Sequence, residues 1–158
     1  MIIGITGKSG SGKSTLGKFF ETLDYRYISV DEVGHLVIES CADILVEEFG
    51  TKDRKELGDI IFNNRDKYQK LVELIWKKQQ ELIDKELKLY DNVVIDFILL
   101  PHTKYWDICD RRILCKCPDS IRKERVLKRD KITEEYFNLR ENKSIEYNEK
   151  EMDLIIGF

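Results

Sequence analysis

A chain of 158 residues is long enough to bury a sizeable core as one compact domain with a small insertion. With 42% hydrophobic and 36% charged residues and no apolar run long enough to span a bilayer, the composition is globular and excludes a membrane-embedded role. A formal net charge of −3 leaves no basic excess for a nucleic-acid surface, so any phosphate binding must be local.

The opening residues Met1-Ile2-Ile3-Gly4-Ile5-Thr6 read as a buried strand and not as a signal peptide, which implies a cytoplasmic location. Directly after them comes Gly7-Lys8-Ser9-Gly10-Ser11-Gly12-Lys13-Ser14, a full match to G-x-x-x-x-G-K-[ST] between a strand and a helix. Glycines at these positions let the backbone curl so that its N–H groups converge on phosphate oxygens, and the helix N-terminus adds its positive end there. Lys13 is expected to reach the β- and γ-phosphates of ATP, Ser14 to ligate Mg²⁺, and Gly7, Ser9, Gly10, Ser11, Gly12 and Thr15 to complete the nucleotide cradle. Leu16, Phe19, Phe20 and Leu23 follow at i, i+3, i+4, i+7 spacing and predict one buried helix face.

A second apolar strand over residues 27–30 leads into Ser29-Val30-Asp31-Glu32-Val33-Gly34-His35. A carboxylate at a strand's carboxyl end can take a proton from an acceptor hydroxyl and orient its oxygen for in-line attack, although Asp31 is equally suited to cap a helix. The chain from there to the third strand reads as helix, over residues 32–49, 54–62 and 66–89. Within the last of these, Tyr68, Leu71, Val72, Ile75 and Leu82 form a stripe expected to pack in a core.

Strand 93–97 contains Val93-Val94-Ile95-Asp96, an apolar run ending in an acid of the kind that helps hold Mg²⁺ beside a phosphate loop. A fourth strand covers 113–116 and a last one 154–156, giving a five-stranded sheet. These runs are nearly continuous in apolar residues, as a parallel sheet covered on both faces requires. Pro118 suits a helix start and Thr133 an N-cap, with a loop near Lys131 between the two helices. Arg122, Arg125 and Arg129 recur along one helix face with Arg140 beyond the loop, and suggest a cationic lid over the phosphates. Cys41, Cys109, Cys115 and Cys117 lack the spacing of a zinc site and are expected to be reduced and mostly buried, and His35 and His102 are too isolated for a metal site or a triad.

Alternating strands and helices predict a P-loop NTPase of three-layer α/β/α architecture with a five-stranded parallel sheet. The ordered set of motifs resembles the dephospho-CoA kinase family across nearly the whole chain. It comprises Ile3 to Gly7 with the glycine loop, the D-x-x-x-H element from Asp31 to His35, Phe49-Gly50, and Arg54-x-x-Leu57-Gly58-x-x-Phe62. Asp96-x-x-Leu99-Leu100, Arg125-x-x-x-Arg129-Asp130, Arg140 and the closing Asp153-Leu154-Ile155-Ile156 complete it. The family's His-Pro pair is replaced here by Trp76-Lys77.

The resemblance implies phosphorylation of the 3′-hydroxyl of dephospho-CoA by ATP with Mg²⁺, the last step of coenzyme A synthesis. It implies a single domain with a helical acceptor-binding insertion at 33–90 and a lid at 119–143. It assigns Asp31 as the base, His35 and Arg54 to the acceptor, Arg125, Arg129 and Arg140 to ATP, and Lys13 and Arg129 to catalysis, with Ser14 and Asp96 serving the metal. The expected partner is a small molecule, dephospho-CoA or a related nucleotide, and neither nucleic acid nor membrane; the chain is expected to be a monomer or a weak homo-oligomer. A nucleoside or nucleotide kinase on the same scaffold, or a non-catalytic nucleotide-binding module, are the alternative readings.

Overall fold

Short runs rich in isoleucine and valine form β1 (Ile2–Thr6), β2 (Arg26–Ser29), β3 (Val93–Asp96), β4 (Arg111–Lys116) and β5 (Leu154–Gly157) in the computed structural model. Residues 1–62, 64–141 and 145–157 are described, except for the Arg54 side chain. The strands pair in the order β2-β3-β1-β4-β5 and every pairing is parallel. The helices are α1 (Lys13–Glu21), α2 (Val30–Ser40), α3 (Ala42–Phe49), α4 (Arg54–Phe62), α5 (Arg65–Leu89), α6 (Lys104–Asp107), α7 (Asp119–Asp130) and α8 (Glu134–Glu141). No helix among the described residues is long and apolar enough to cross a membrane.

The chain divides into two units, one of Met1–Ser29 with Tyr90–Phe158 and one of Val30–Leu89. The first holds the sheet. On one sheet face Ile3, Ile5, Val94, Ile113 and Cys115 form a core against which Leu16 and Phe20 of α1 pack, with Tyr25, Tyr27 and Ile156. Gly4 looks to the opposite face, toward Leu100 and Cys109, near which Tyr105 and Trp106 of α6 are buried. The second unit has its own core, built from Val37, Cys41, Leu45, Phe49, Leu57 and Leu71. All four cysteines are free thiols, Cys41 and Cys115 buried and Cys109 and Cys117 partly so.

Several expectations about burial need correction. Phe19 and Leu23 are exposed, because α1 turns Lys13, Gly17 and the flanking Leu16 and Phe20 toward the sheet; Phe19 falls beside that face and Leu23 beyond the helix end. On α5 the buried line runs through Leu71, Gln79 and Ile83, whereas Tyr68, Val72 and Leu82 face solvent. Gln79 can be buried because its Nε2 donates to the Val30 carbonyl at 2.9 Å. The single helix expected over 32–49 is two, interrupted at Cys41, whose backbone leaves the helical region with φ −96° and ψ 16°. β5 is not covered on both faces: it is an edge strand paired to β4, and Leu154 and Ile155 are exposed.

β2 ends one residue earlier than expected, since Val30 already belongs to α2. Thr133 precedes α8 and its Oγ1 accepts a hydrogen bond from Tyr136 N at 3.2 Å, while Lys131 takes a left-handed conformation with φ 53° to end α7.

Candidate active site

β1 lies between β3 and β4, so the loop that leaves its carboxyl end opens between two parallel neighbours, where α/β sheets bind ligands. Gly7, Gly10 and Gly12 of this loop all have positive φ. Gly7 is the most constrained: its φ is 145°, and a Cβ there would lie 2.4 Å from the Cys115 carbonyl oxygen of β4. The loop closes on itself through Ser11 N, which donates to Lys8 O at 3.1 Å. Gly12 then caps α1 without a side-chain hydrogen bond, and the first turn carries no acid. Helix N–H groups that have neither a capping oxygen nor a neighbouring carboxylate suit an anion.

Lys13 is buried, and its Nζ donates to Lys8 O at 3.3 Å, which folds the ammonium back along the loop. Ser14 and Thr15 are exposed on the first turn of α1. The Ser14 hydroxyl donates to Asp96 Oδ2 at 3.2 Å. Asp96 ends β3 as expected and is only 4% exposed. Thr6 Oγ1 reaches across to Phe97 O at 3.0 Å and Ile98 O at 3.2 Å, and so holds the segment after β3 beside the loop. Ser11 is buried beside Gly7, and its Oγ has no hydrogen-bond partner among the described residues.

The arginines of α7 divide into two kinds. Arg125 Nη1 donates to Gly10 O at 3.2 Å and Arg129 Nη2 to Ser9 Oγ at 3.2 Å, so both guanidinium groups lie against the glycine loop. Asp130 accepts from Arg129 at 2.6 Å and from Arg140 of α8 at 3.2 Å, gathering the two cations at one carboxylate. The hydrogen bond from Arg129 holds the Asp130 carboxyl below the usual range against its partial burial, and the charges of Arg129 and Arg140 add to this. Arg122 differs. Its side chain is 2% exposed and is held by Glu141 at 2.6 Å, Asp119 at 2.7 Å and the Ser9 carbonyl at 3.0 Å. The expectation of three arginines facing phosphate is therefore corrected for Arg122, which ties α7 and α8 to the loop.

The sheet-bearing unit thus brings together the glycine loop, Lys13, Ser14, Thr15, Asp96, Arg125, Arg129 and Arg140. Asp31 and His35 belong to the helical unit, one turn apart and exposed on α2. Asp31 is not the N-cap allowed for above, since the helix already begins at Val30. Arg54 opens α4, and its side chain lies outside the described residues, as do residues 142–143 at the end of the expected lid.

Two tyrosines escaped sequence reasoning. Tyr27 Oη donates to Asp96 Oδ2 at 2.9 Å, and Tyr147 Oη donates to Ile98 O at 3.0 Å. Burial and the Asp96 charge raise the Tyr27 pKa, and burial pushes Tyr147 up to about 12. Neither tyrosine stands in a motif, and Tyr27 meets Asp96 because β2 pairs with β3.

Among the described residues no cluster of three or more His, Cys, Asp or Glu could hold a metal by itself. A hydroxyl with one buried carboxylate is a hard-oxygen donor pair, which fits an ion that also takes substrate phosphates and water as ligands.

A family model described as dephospho-CoA kinase matches residues 1–154. A dephospho-CoA kinase of Aquifex aeolicus is 32% identical over 162 residues, which cover 94% of this chain and 82% of the relative. The crystal structure of TT1252 from Thermus thermophilus is similar with a TM-score of 0.84 and 24% identity, covering 100% of this chain and 88% of that one. The dephospho-CoA kinase from Campylobacter jejuni is similar with a TM-score of 0.71 and 23% identity, covering 99% and 87%. The two solved structures share the fold, a three-layer P-loop kinase architecture. Because the family model extends from the first strand into the last and the sequence relative agrees with it over almost the full length, the chain belongs to the dephospho-CoA kinase family.

Proposed function

We propose that this chain transfers the γ-phosphoryl group of ATP to the 3′-hydroxyl of dephospho-CoA, in the cytoplasm and without nucleic-acid or membrane partners. Family membership supports ATP as donor and a hydroxyl as acceptor. The observation that carries the assignment of roles is the contact of Ser14 Oγ with Asp96 Oδ2 at the edge of a loop also touched by Arg125 and Arg129.

In the reaction a bond forms between the 3′-oxygen and the γ-phosphorus while the bond to the β,γ-bridging oxygen breaks, and ADP leaves. Such transfer needs little covalent help from the protein and depends on positioning and charge neutralisation. Lys13 and the α1 N-terminus hold the β- and γ-phosphates, and Arg125, Arg129 and Arg140 exchange their present partners for nucleotide and phosphate oxygens. Arg129 donates to the loop hydroxyl of Ser9, which supports its role at the transferring group. Ser14 and Asp96 hold Mg²⁺, which neutralises charge on the β- and γ-phosphates when bound. Residues 119–143 act as the lid.

Asp31 accepts the proton of the acceptor hydroxyl. Its position two residues after the end of β2, in the first turn of α2, supports this role. The helical unit serves as the acceptor-binding insertion, with His35 and Arg54 contacting dephospho-CoA. A carboxylate that only orients and deprotonates the hydroxyl contributes to the chemical step and little to affinity. Asp31→Asn should therefore lower the single-turnover rate by about 10²- to 10⁴-fold with dephospho-CoA binding preserved. An unchanged single-turnover rate would remove Asp31 from the mechanism.

A further inference from the structure

We propose that Tyr27 is a positioning residue for the metal-binding oxygens, its phenol orienting the Asp96 carboxylate and, through it, the Ser14 hydroxyl. The inference rests on the reading above that Ser14 and Asp96 hold Mg²⁺.

Asp96 Oδ2 accepts hydrogen bonds from Tyr27 Oη at 2.9 Å and from Ser14 Oγ at 3.2 Å. A carboxylate only 4% exposed is costly to bury unless such donors compensate it. The Tyr27 donor is well suited to fix a direction, because a phenolic oxygen is rigidly attached to its ring and only the ring needs holding. The ring is held by close approach to α1: a Cβ on Gly17 would lie 2.2 Å from Tyr27 Cε2 and 2.6 Å from Cζ. Any larger residue at position 17 would displace the ring.

One side chain therefore spans the pieces that must agree. Tyr27 stands on β2, leans on the helix that begins with Lys13 and Ser14, and hydrogen-bonds the last residue of β3. The Ser14 oxygen has one proton and two lone pairs, so it can keep its bond to Asp96 and still offer a lone pair to a cation. Without the phenol, Oδ2 loses a donor that fixes its direction, and the carboxylate holds the serine hydroxyl less firmly. Supporting groups of this kind commonly change metal affinity by about 10- to 100-fold.

Tyr27→Phe tests this, since it keeps the ring against Gly17 and removes only the hydroxyl. Mn²⁺ is used as the probe, and its binding to the protein–ADP complex is read by the loss of the free-ion electron paramagnetic resonance signal. ADP binding in EDTA and the thermal midpoint are measured in parallel. The expected result is Mn²⁺ affinity lower by about 10-fold or more, metal-free ADP binding unchanged, and an apparent KM for Mg²⁺ that rises while kcat recovers at saturating Mg²⁺. Asp96→Asn separates the layers. If it weakens Mn²⁺ binding and Tyr27→Phe does not, the role of Tyr27 is refuted and the metal site stands. If neither variant weakens it, the metal site and the inference fall together. Equal losses in metal-free ADP binding and thermal midpoint in Tyr27→Phe would make the tyrosine a packing residue and overturn the proposal.

Discussion

Lys13 donates to the carbonyl of Lys8 within its own loop, and the role proposed for it requires that bond to be exchanged for one to phosphate. The exchange is downhill because a charged oxygen is a stronger acceptor than a peptide carbonyl. Lys13→Ala should lower kcat by roughly 10²- to 10³-fold, the scale of losing one preorganised charge-stabilising donor, while the thermal midpoint moves little; steady-state rates and calorimetry on the same sample check both. Gly7→Ala should do the reverse in kind, harming the fold first. It places a side chain at φ 145° with its Cβ 2.4 Å from the Cys115 carbonyl, and about 1–3 kcal/mol of unfolding free energy should be lost in urea titrations. The glycine loop, Lys13 and Ser14 were legible because their chemistry is contiguous and its strand–loop–helix context is local. Asp96 was legible for a similar reason, as an acid ending an apolar strand. Tyr27 was not, since its importance depends on which strand becomes its neighbour and on a glycine of α1 that admits its ring.

Among the elements, α7 and α8 are joined to the glycine loop by a buried cation and its carboxylates. Removing the buried cation leaves the partly buried Glu141 carboxylate and the Ser9 carbonyl without their donor, and Arg122→Met should cost about 1–3 kcal/mol. Denaturant unfolding measures this, and the double variant Arg122→Met with Glu141→Leu should recover much of the loss. The acid response of the same elements has a definite sign. Hydrogen bonds from Arg122 and Arg129 lower the pKa values of Asp119 and Asp130 below their unfolded values. The unfolded chain therefore binds more protons than the folded one near and below about pH 4, and stability falls as pH drops through that window. Asp130→Asn should flatten part of that decline, as thermal melts between about pH 3 and 6 would register. Helical periodicity placed Arg122, Arg125 and Arg129 on one face, but it could not say which would be buried. That choice is made by Glu141, 19 residues farther on in another helix. Phe19 and Leu23 show the same limit: their spacing fits a buried stripe, yet the close approach of Gly17 to Tyr27 turns a different line of α1 toward the sheet.

For the whole molecule, the parallel five-stranded sheet was legible from alternation of apolar runs with helical patterns, because a chain that returns to the same sheet edge must cross over each time. The helical stretch expected at 33–90 nearly coincides with the unit Val30–Leu89, but the core it buries was less legible, since it depends on contacts among distant turns such as those of Leu45 and Leu71. The acceptor assignment belongs at this scale, because the residues proposed for ATP lie in one unit while those proposed for the acceptor, Asp31, His35 and Arg54, lie in the other. The most direct test is to incubate the purified protein with MgATP and dephospho-CoA, follow ADP release, and identify the product by mass and by the position of its new phosphate. The account predicts coenzyme A phosphorylated at the 3′-position, formed in step with ADP and slowed roughly 10²- to 10³-fold in Lys13→Ala. ADP release with adenosine or nucleoside monophosphates but not with dephospho-CoA, or tight ATP binding without turnover of any acceptor, would contradict it.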